Sequence, residues 1–489
     1  MRALTRRLAF LFRSTEGLVL TAIAAIALTT AIWSTLSGPL AEWGIGGVVA
    51  RLLGMRLLAA EREGRIIMLY HTIAMAVVAI EVYLITDLIP MKDQWRPMIN
   101  GTITVGYIMS LVFGLLFAYF GRNWAFHGLF LFGQSLVFFS GLMLTVALWP
   151  WQKEYRVKDP DYAHGPGGLD LERLALFAMA VATLGSALFG AVPGSYLGNG
   201  FETFMAENVV REPFKTPLQL AVIGHLHIML TLIAVAALLI IGRWFDFRGR
   251  LHKIAMPLLI IGTVIITIGV WMVVPTEELA HFIIYGGSVF VLLPGALLVG
   301  FGWNKLITQG TAAQGKTNLV QKLRALLADP LRFGALWQMV YMNFVVTFVG
   351  LFMAARLDKV IRVWPAREER IELTGHWHVL SAIIATIILL YYADRAGLKG
   401  RARQWFGWLV IVGSDLAFAG VALFETKRLY VSEAAQQPLV TWTQLAMDAG
   451  LAVLMVTLAA LMVWRLVDLF RSNGRWAKEL SGAEQEVSQ

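Results

Sequence analysis

The sequence predicts an all-α integral membrane protein built as a twelve-span helical bundle, and three observations carry that prediction. Of its 489 residues, 58% are hydrophobic and only 15% are charged, where a soluble domain carries about 25% charged residues. Mean hydropathy is +0.66. Apolar runs long enough to cross a bilayer recur from one end of the chain to the other.

Taken in order, the expected spans are 17–37, 65–89, 97–120, 124–148, 172–192, 218–242, 253–275, 279–302, 333–355, 375–393, 404–424 and 441–468. Each has about the length needed for the hydrocarbon core. The larger breaks, 37–64, 149–171 ("WPWQKEYRVKDPDYAHGPGGLD") and 303–332, read as loops or interfacial helices. The expectation is therefore one transmembrane domain over 1–489, with 469–489 as a polar cytoplasmic tail.

Charge sets the orientation. With both termini in the cytoplasm, Lys and Arg favour the inner segments by roughly two to one, although the first and fifth outer loops are unusually basic. The net charge of +9 is explained by these loops rather than by nucleic acid. "MRALTRRLAFLFR" precedes an apolar segment without a small-residue cleavage site, so no cleavable signal peptide is expected. The absence of cysteine excludes disulfides, thiolate metal ligands, iron–sulfur clusters and covalent c-type haem on this chain.

Histidine is the residue type that points to chemistry. Of nine histidines, His164 and His252 fall in or beside inner loops and read as solvated or interfacial. The other seven, His71, His127, His225, His227, His281, His376 and His378, all fall in the outer part of the expected membrane. Polar rings are uncommon there without a partner, and neutral imidazole ligates iron, copper and zinc. "GHLHIML" (224–230) and "TGHWHVL" (374–380) each place two histidines two residues apart. A helix turns about 100° per residue, so such a pair faces two nearly opposite directions. One helix can then serve two cofactors, and haem, a planar group that lies between helices and takes axial histidines, fits that arrangement. The likeness of "GHLHIMLTLI" to "GHWHVLSAII" hints at an internal repeat but is too short to establish one.

At these residues the chain resembles the haem–copper oxidase superfamily, specifically the catalytic subunit (subunit I) in the form of nitric oxide reductase large subunits. The strongest local stretches are "GRIIMLYHTIAMAVVAIEVYLITDLIP" around His71 and "IELTGHWHVLSAIIATIILLYYADRAG" around His376 and His378. The resemblance covers essentially the whole chain. It implies that His71 and His378 sandwich a low-spin haem, and that His376 is the proximal, catalytic ligand of a high-spin haem. It further implies copper or non-haem iron opposite that haem. His225 matches one ligand of this second metal, but where the family has consecutive histidines this chain reads "EELAHFIIY", with His281 alone. Met229 stands where the family carries tyrosine or glutamate. Such a site would need Glu277, Glu278 or water to complete it, since divalent metals take four or more donors.

His127 and His227 are additions to the family pattern. They are candidate axial ligands of a third haem, with a hydrogen-bonded pair in a polar pocket as the alternative. Glu81, Asp415 and Asp448 lie where ionised carboxylates are costly. They read either as parts of a proton route or as protonated groups bonded to neighbouring helices. Asn100, Thr102 and Thr104 are candidates for lining such a route or for helix packing. Arg356, Arg362, Arg367 and Arg370 are candidates for pairing with haem propionates or an acidic donor, against a solvated loop.

The expected function is that of a respiratory membrane protein with two non-covalent, b-type haems. It would take electrons from a cytochrome c-type subunit or from quinol, with oxygen or nitric oxide reduced at the haem on His376. Membrane lipid is the expected surroundings, in a prokaryotic plasma membrane. The alternative is a non-catalytic electron-transfer subunit with every haem bis-histidine ligated and no second metal. A transporter with a metal-binding outer vestibule is a third class.

Overall fold

The computed structural model describes residues 2–37, 44–57, 62–121, 123–164, 167–196, 215–312, 317–356, 366–471, 474 and 476. Twelve helices among them are long and apolar enough to span a membrane, so the chain is an all-α, multi-pass membrane protein. Helices α1 (Arg2–Leu11), α2 (Thr15–Ser37) and α3 (Ile45–Leu52) open the chain. They lead to α4 (Arg62–Leu88), α5 (Trp95–Phe120) and α6 (Trp124–Ala147). A two-residue antiparallel ladder, β1 (Ala163–His164) with β2 (Leu169–Asp170), then turns the chain into α7 (Leu171–Tyr196). Next come α8 (Pro217–Trp244), α9 (Arg250–Met272) and α10 (Glu277–Thr311). The short α11 (Leu319–Leu327) precedes α12 (Pro330–Val340) and α13 (Thr347–Arg356). The last three are α14 (Ala366–Arg395), α15 (Gly400–Thr426) and α16 (Glu433–Phe470).

The expected ninth span is one helix interrupted by a π-helical turn, Tyr341–Val346. Within that turn the buried Asn343 donates Nδ2–H to the Met339 carbonyl at 2.8 Å. Gly295 of α10 has no side chain where Asn343 sits: a Cβ there would lie 2.6 Å from its Nδ2. Large apolar side chains such as Phe132, Val289 and Val456 are exposed, as a lipid-facing surface requires.

Where the sequence reads as one domain, the structure groups into two compact units. One comprises 28–305 and 339–384, and the other 1–27, 306–338 and 385–489. In the first, α5 and α6 approach closely because Gly106, Ser110 and Gly133 leave room for backbone contact. A Cβ on Gly133 would lie 2.7 Å from the Ser110 amide nitrogen. Small residues serve membrane helices in this way because lipid supplies no hydrophobic drive between helices. In the second unit Gly413 and Gly450 do the same for α15 and α16.

In the second unit part of the expected 469–489 tail is packed inside. Trp476 is fully buried. Its indole donates to Glu16 Oε2 at 2.7 Å, and the Arg465 guanidinium lies 4.0 Å above its ring. Arg465, 1% exposed, in turn pairs with Glu16 at 3.2 Å and Asp468 at 3.3 Å. A buried cation needs such partners, and the aromatic face supplies one more. Residues after 476 lie outside the described set.

Candidate functional site

All seven histidines expected on the outer side belong to the unit formed by 28–305 and 339–384. Helix α8 is positioned by its own first turn. Thr216 Oγ1 accepts from the Gln219 amide at 3.3 Å, Gln219 Oε1 accepts from the Thr216 amide at 2.8 Å, and Pro217 opens the helix. This reciprocal cap, with proline at the position where its missing N–H costs nothing, sets the start that places His225 and His227 two turns in.

The two rings diverge as the helical period requires. His225 turns towards α7, where its Nδ1 meets the Ser186 carbonyl at 2.8 Å and its ring packs on Gly190, leaving no room for a Cβ. His227 bonds its Nδ1 to the Ile223 carbonyl one turn back on its own helix, also at 2.8 Å. Its ring meets Trp377 of α14 edge-on, with centroids 5.0 Å apart. His225 lies within electrostatic range of His71, and His227 within range of His281.

The remaining rings follow the same division. His71 on α4 is partly buried, its Nδ1 is buried without a hydrogen-bond partner, and its ring is 5.9 Å from Phe130. Phe130 also stacks with His127 at 6.5 Å, and His127 stacks on Phe117 at 5.0 Å with Trp124 beside it. Helices α4 and α14 meet where Tyr70 stacks on His378, with centroids 4.3 Å apart. His281 stacks with Tyr285 one turn on, at 6.3 Å. The backbone of His376 is part of α14, but its side chain lies outside the described residues.

Of the candidate metal ligands, His225 bonds to α7 and lies within electrostatic range of His71, and His281 lies within range of His227. Glu277 and Glu278 are exposed in the first turn of α10, where water and the helix dipole already stabilise them. Among the described residues no group of three or more His, Asp or Glu is arranged to hold a metal. His127, expected opposite His227, sits in an aromatic surround with Phe130 shared between it and His71.

The tautomer of each ring decides which nitrogen it can offer to a metal. When Nδ1–H donates to a carbonyl, the neutral ring carries its lone pair on Nε2, the atom an axial ligand offers. His225 and His227 are both held this way.

The candidate carboxylates divide. Asp415 accepts from Trp337 Nε1 at 2.9 Å and Gln338 Nε2 at 3.0 Å, so it is bonded to a neighbouring helix. Glu81 is 4% exposed and its Oε1 has no hydrogen-bond partner, whereas Asp448 is exposed. Asn100 and Thr104 tie α5 to α4: Thr86 donates to Asn100 Oδ1 at 3.0 Å, and Tyr83 and Thr104 share a hydrogen bond of 2.6 Å. Thr102 is partly buried and Arg356 exposed. Arg362 and the side chains of Arg367, Arg370 and His164 lie outside the described residues.

His252 overturns its reading as a solvated or interfacial residue: it is 2% exposed. The turn between α8 and α9 buries it, helped by Asp246 at φ 50° and Gly249 at φ 78°. Tyr162 donates to Asp246, and Lys305 bonds the same carboxylate at 3.3 Å. Partial burial works against the Asp246 carboxylate, but Tyr162, Lys305 and Arg248 outweigh it and hold its pKa below the ordinary aspartate value. Burial, reinforced by Asp246, pushes the Tyr162 phenol up. Sequence spacing carries no signal for this cluster, because its members are separated by up to 143 positions, from Tyr162 to Lys305. Comparison of the chain with known protein families, with curated proteins and with solved structures finds no match.

Proposed function

We propose that the chain is a multi-haem electron-transfer protein of a prokaryotic respiratory membrane, with both termini in the cytoplasm. It takes electrons on the outer side from a cytochrome c-type subunit or a quinol. They pass through a low-spin haem held by His71 and His378 towards a second haem on His376. Haem, when bound, supplies the one-electron chemistry. The observation that carries this reading is the divergence of His225 and His227, each fixed at Nδ1 by a backbone carbonyl and so offering Nε2 to a different side of α8. The meeting of α4 and α14 through Tyr70 and His378 supports the assignment of His71 and His378 to one haem.

In this role the chain's residues hold and orient. Tyr70 restrains the His378 ring by stacking, and the Ser186 carbonyl sets the His225 tautomer.

The test is an absorption spectrum of the purified, dithionite-reduced protein before and after carbon monoxide, with metal quantification on the same sample. The expected result is at least two b-type haems per chain, with low-spin bands lost in His71→Ala and in His378→Ala. Bands indifferent to carbon monoxide, without copper or non-haem iron, mark an electron conduit. A carbon monoxide shift with a bound second metal would instead extend the activity to reduction of oxygen or nitric oxide. A preparation that binds no haem refutes both.

A further inference from the structure

Away from the outer histidines, the turn between α8 and α9 closes a space of about water size against the start of α7. Glu172, Gly242, Phe247, His252 and Met256 line it. Glu172 is 5% exposed and His252 2% exposed. Both ring nitrogens of His252 are buried without a hydrogen-bond partner. A neutral imidazole has one donor and one acceptor to satisfy, and buried polar atoms are nearly always paired with protein or ordered water. The edges of its ring neighbours, Tyr162 at 5.4 Å and Phe247 at 5.7 Å, offer the nitrogens no bond. A second small space borders the other side of Glu172, between it, Arg243 and the apolar residues of α4, α7 and α8.

We propose that the space between Glu172 and His252 is an internal hydration site, where one water links carboxyl and imidazole and the three hold one exchangeable proton. In the transfer, the Glu172 O–H bond breaks as its proton passes to the water. The water gives one of its own protons to the free ring nitrogen, so an acid and a neutral ring become a carboxylate and an imidazolium. Water is the ligand class the dimensions and donors allow. A metal is not, since Glu172, His252 and the weak thioether of Met256 fall short of the four donors such a site takes.

The charges around the site are of both signs. Arg243 Nε lies 3.0 Å from Glu172 Oε2 and stabilises the carboxylate. Asp170, Arg243 and Lys253 lie within electrostatic range of His252. Arg173, beside Glu172, is committed elsewhere, to the carbonyls of Pro90 and Ala147 at 2.7 and 2.5 Å. Asp246 is held by Tyr162 and Lys305. The imidazolium thus faces Asp170 and the Glu172 carboxylate that Arg243 already shares, against the cations Arg243 and Lys253.

Met256, 2% exposed in the wall of the space, is the reporter. The full-length protein, labelled with 13C on methionine methyl groups and held in lipid nanodiscs, gives its signal by comparison with Met256→Leu. The expected result is magnetisation transfer from water to this methyl, and one titration between about pH 5 and pH 9. Its midpoint falls by roughly one pH unit in Glu172→Gln, which leaves Arg243 unopposed beside the ring, and the titration disappears in His252→Gln. Wild type and Glu172→Gln decide the matter should His252→Gln fail to fold. A methyl that receives nothing from water, or does not titrate, overturns the proposal. So does a midpoint indifferent to Glu172→Gln, which would mean a solitary histidine.

Discussion

Replacing Gly190 by alanine tests how closely α7 and α8 hold His225. A Cβ at Gly190 would overlap Nδ1 and Cγ of the His225 ring. The ring cannot simply swing aside, because its Nδ1 is bonded to Ser186 one turn earlier on α7, at 2.8 Å. Either the hydrogen bond breaks, at about 0.5–1.5 kcal/mol, or the helices move apart, at about 1–3 kcal/mol for overpacking. Against this, removing a glycine from a helix interior contributes about 0.5–1 kcal/mol in favour of the folded state. The balance runs from about neutral, where only the bond breaks, to a destabilisation of roughly 2 kcal/mol, where the helices move apart. Gly101→Ala is the control, because nothing lies within 4 Å of its Cβ and only the helix-forming gain remains. Thermal unfolding of both variants in the same detergent gives the comparison. If Gly190→Ala melts at or above Gly101→Ala, the close contact between Gly190 and His225 is refuted.

Other substitutions read the second unit and the turn after α8. Gly450→Ala meets backbone, with the Gly413 carbonyl oxygen 2.5 Å and the Ala417 nitrogen 2.6 Å from the new Cβ, so it should lower the melting temperature more than Gly190→Ala does. Arg403 bonds Asp329 through Nε at 3.0 Å and Nη2 at 2.8 Å and also pairs with Asp394. Arg403→Met leaves two half-buried carboxylates facing each other and should cost somewhat less than the about 3–5 kcal/mol of a fully buried pair. Adding Asp329→Asn should recover part of that loss in the same melt. The depressed Asp246 pKa makes a linkage prediction. Its stabilisation is fully present above the unfolded-state value of about 3.9 and is lost as pH falls through the lower folded-state value. Melting temperature below about pH 4 should therefore fall less steeply in Asp246→Asn than in the wild type.

Much of the fold is legible in the sequence because lipid imposes a single rule: every backbone group must bond within its own span. Apolar runs of sufficient length therefore become helices wherever they end up packing, and the twelve expected spans are the twelve long apolar helices of the structure. Their ends are less legible. The last span was read as 441–468, yet α16 runs Glu433–Phe470, because helix continues into polar residues once one turn is formed. The divergence of His225 and His227 was readable from the helical period alone, and the structure places the rings on different neighbours.

The partners of those rings were not readable. Periodicity determined that the paired histidines face opposite ways, since that follows from position along a helix. Which ring meets which neighbour depends on how each helix is rotated and what packs beside it. Tertiary structure alone put His281 near His227, His127 in an aromatic surround and Glu277 and Glu278 in the open. It alone buried His252, a residue beside a loop in sequence, because the turn after α8 folds it back against Glu172 and shuts out bulk water.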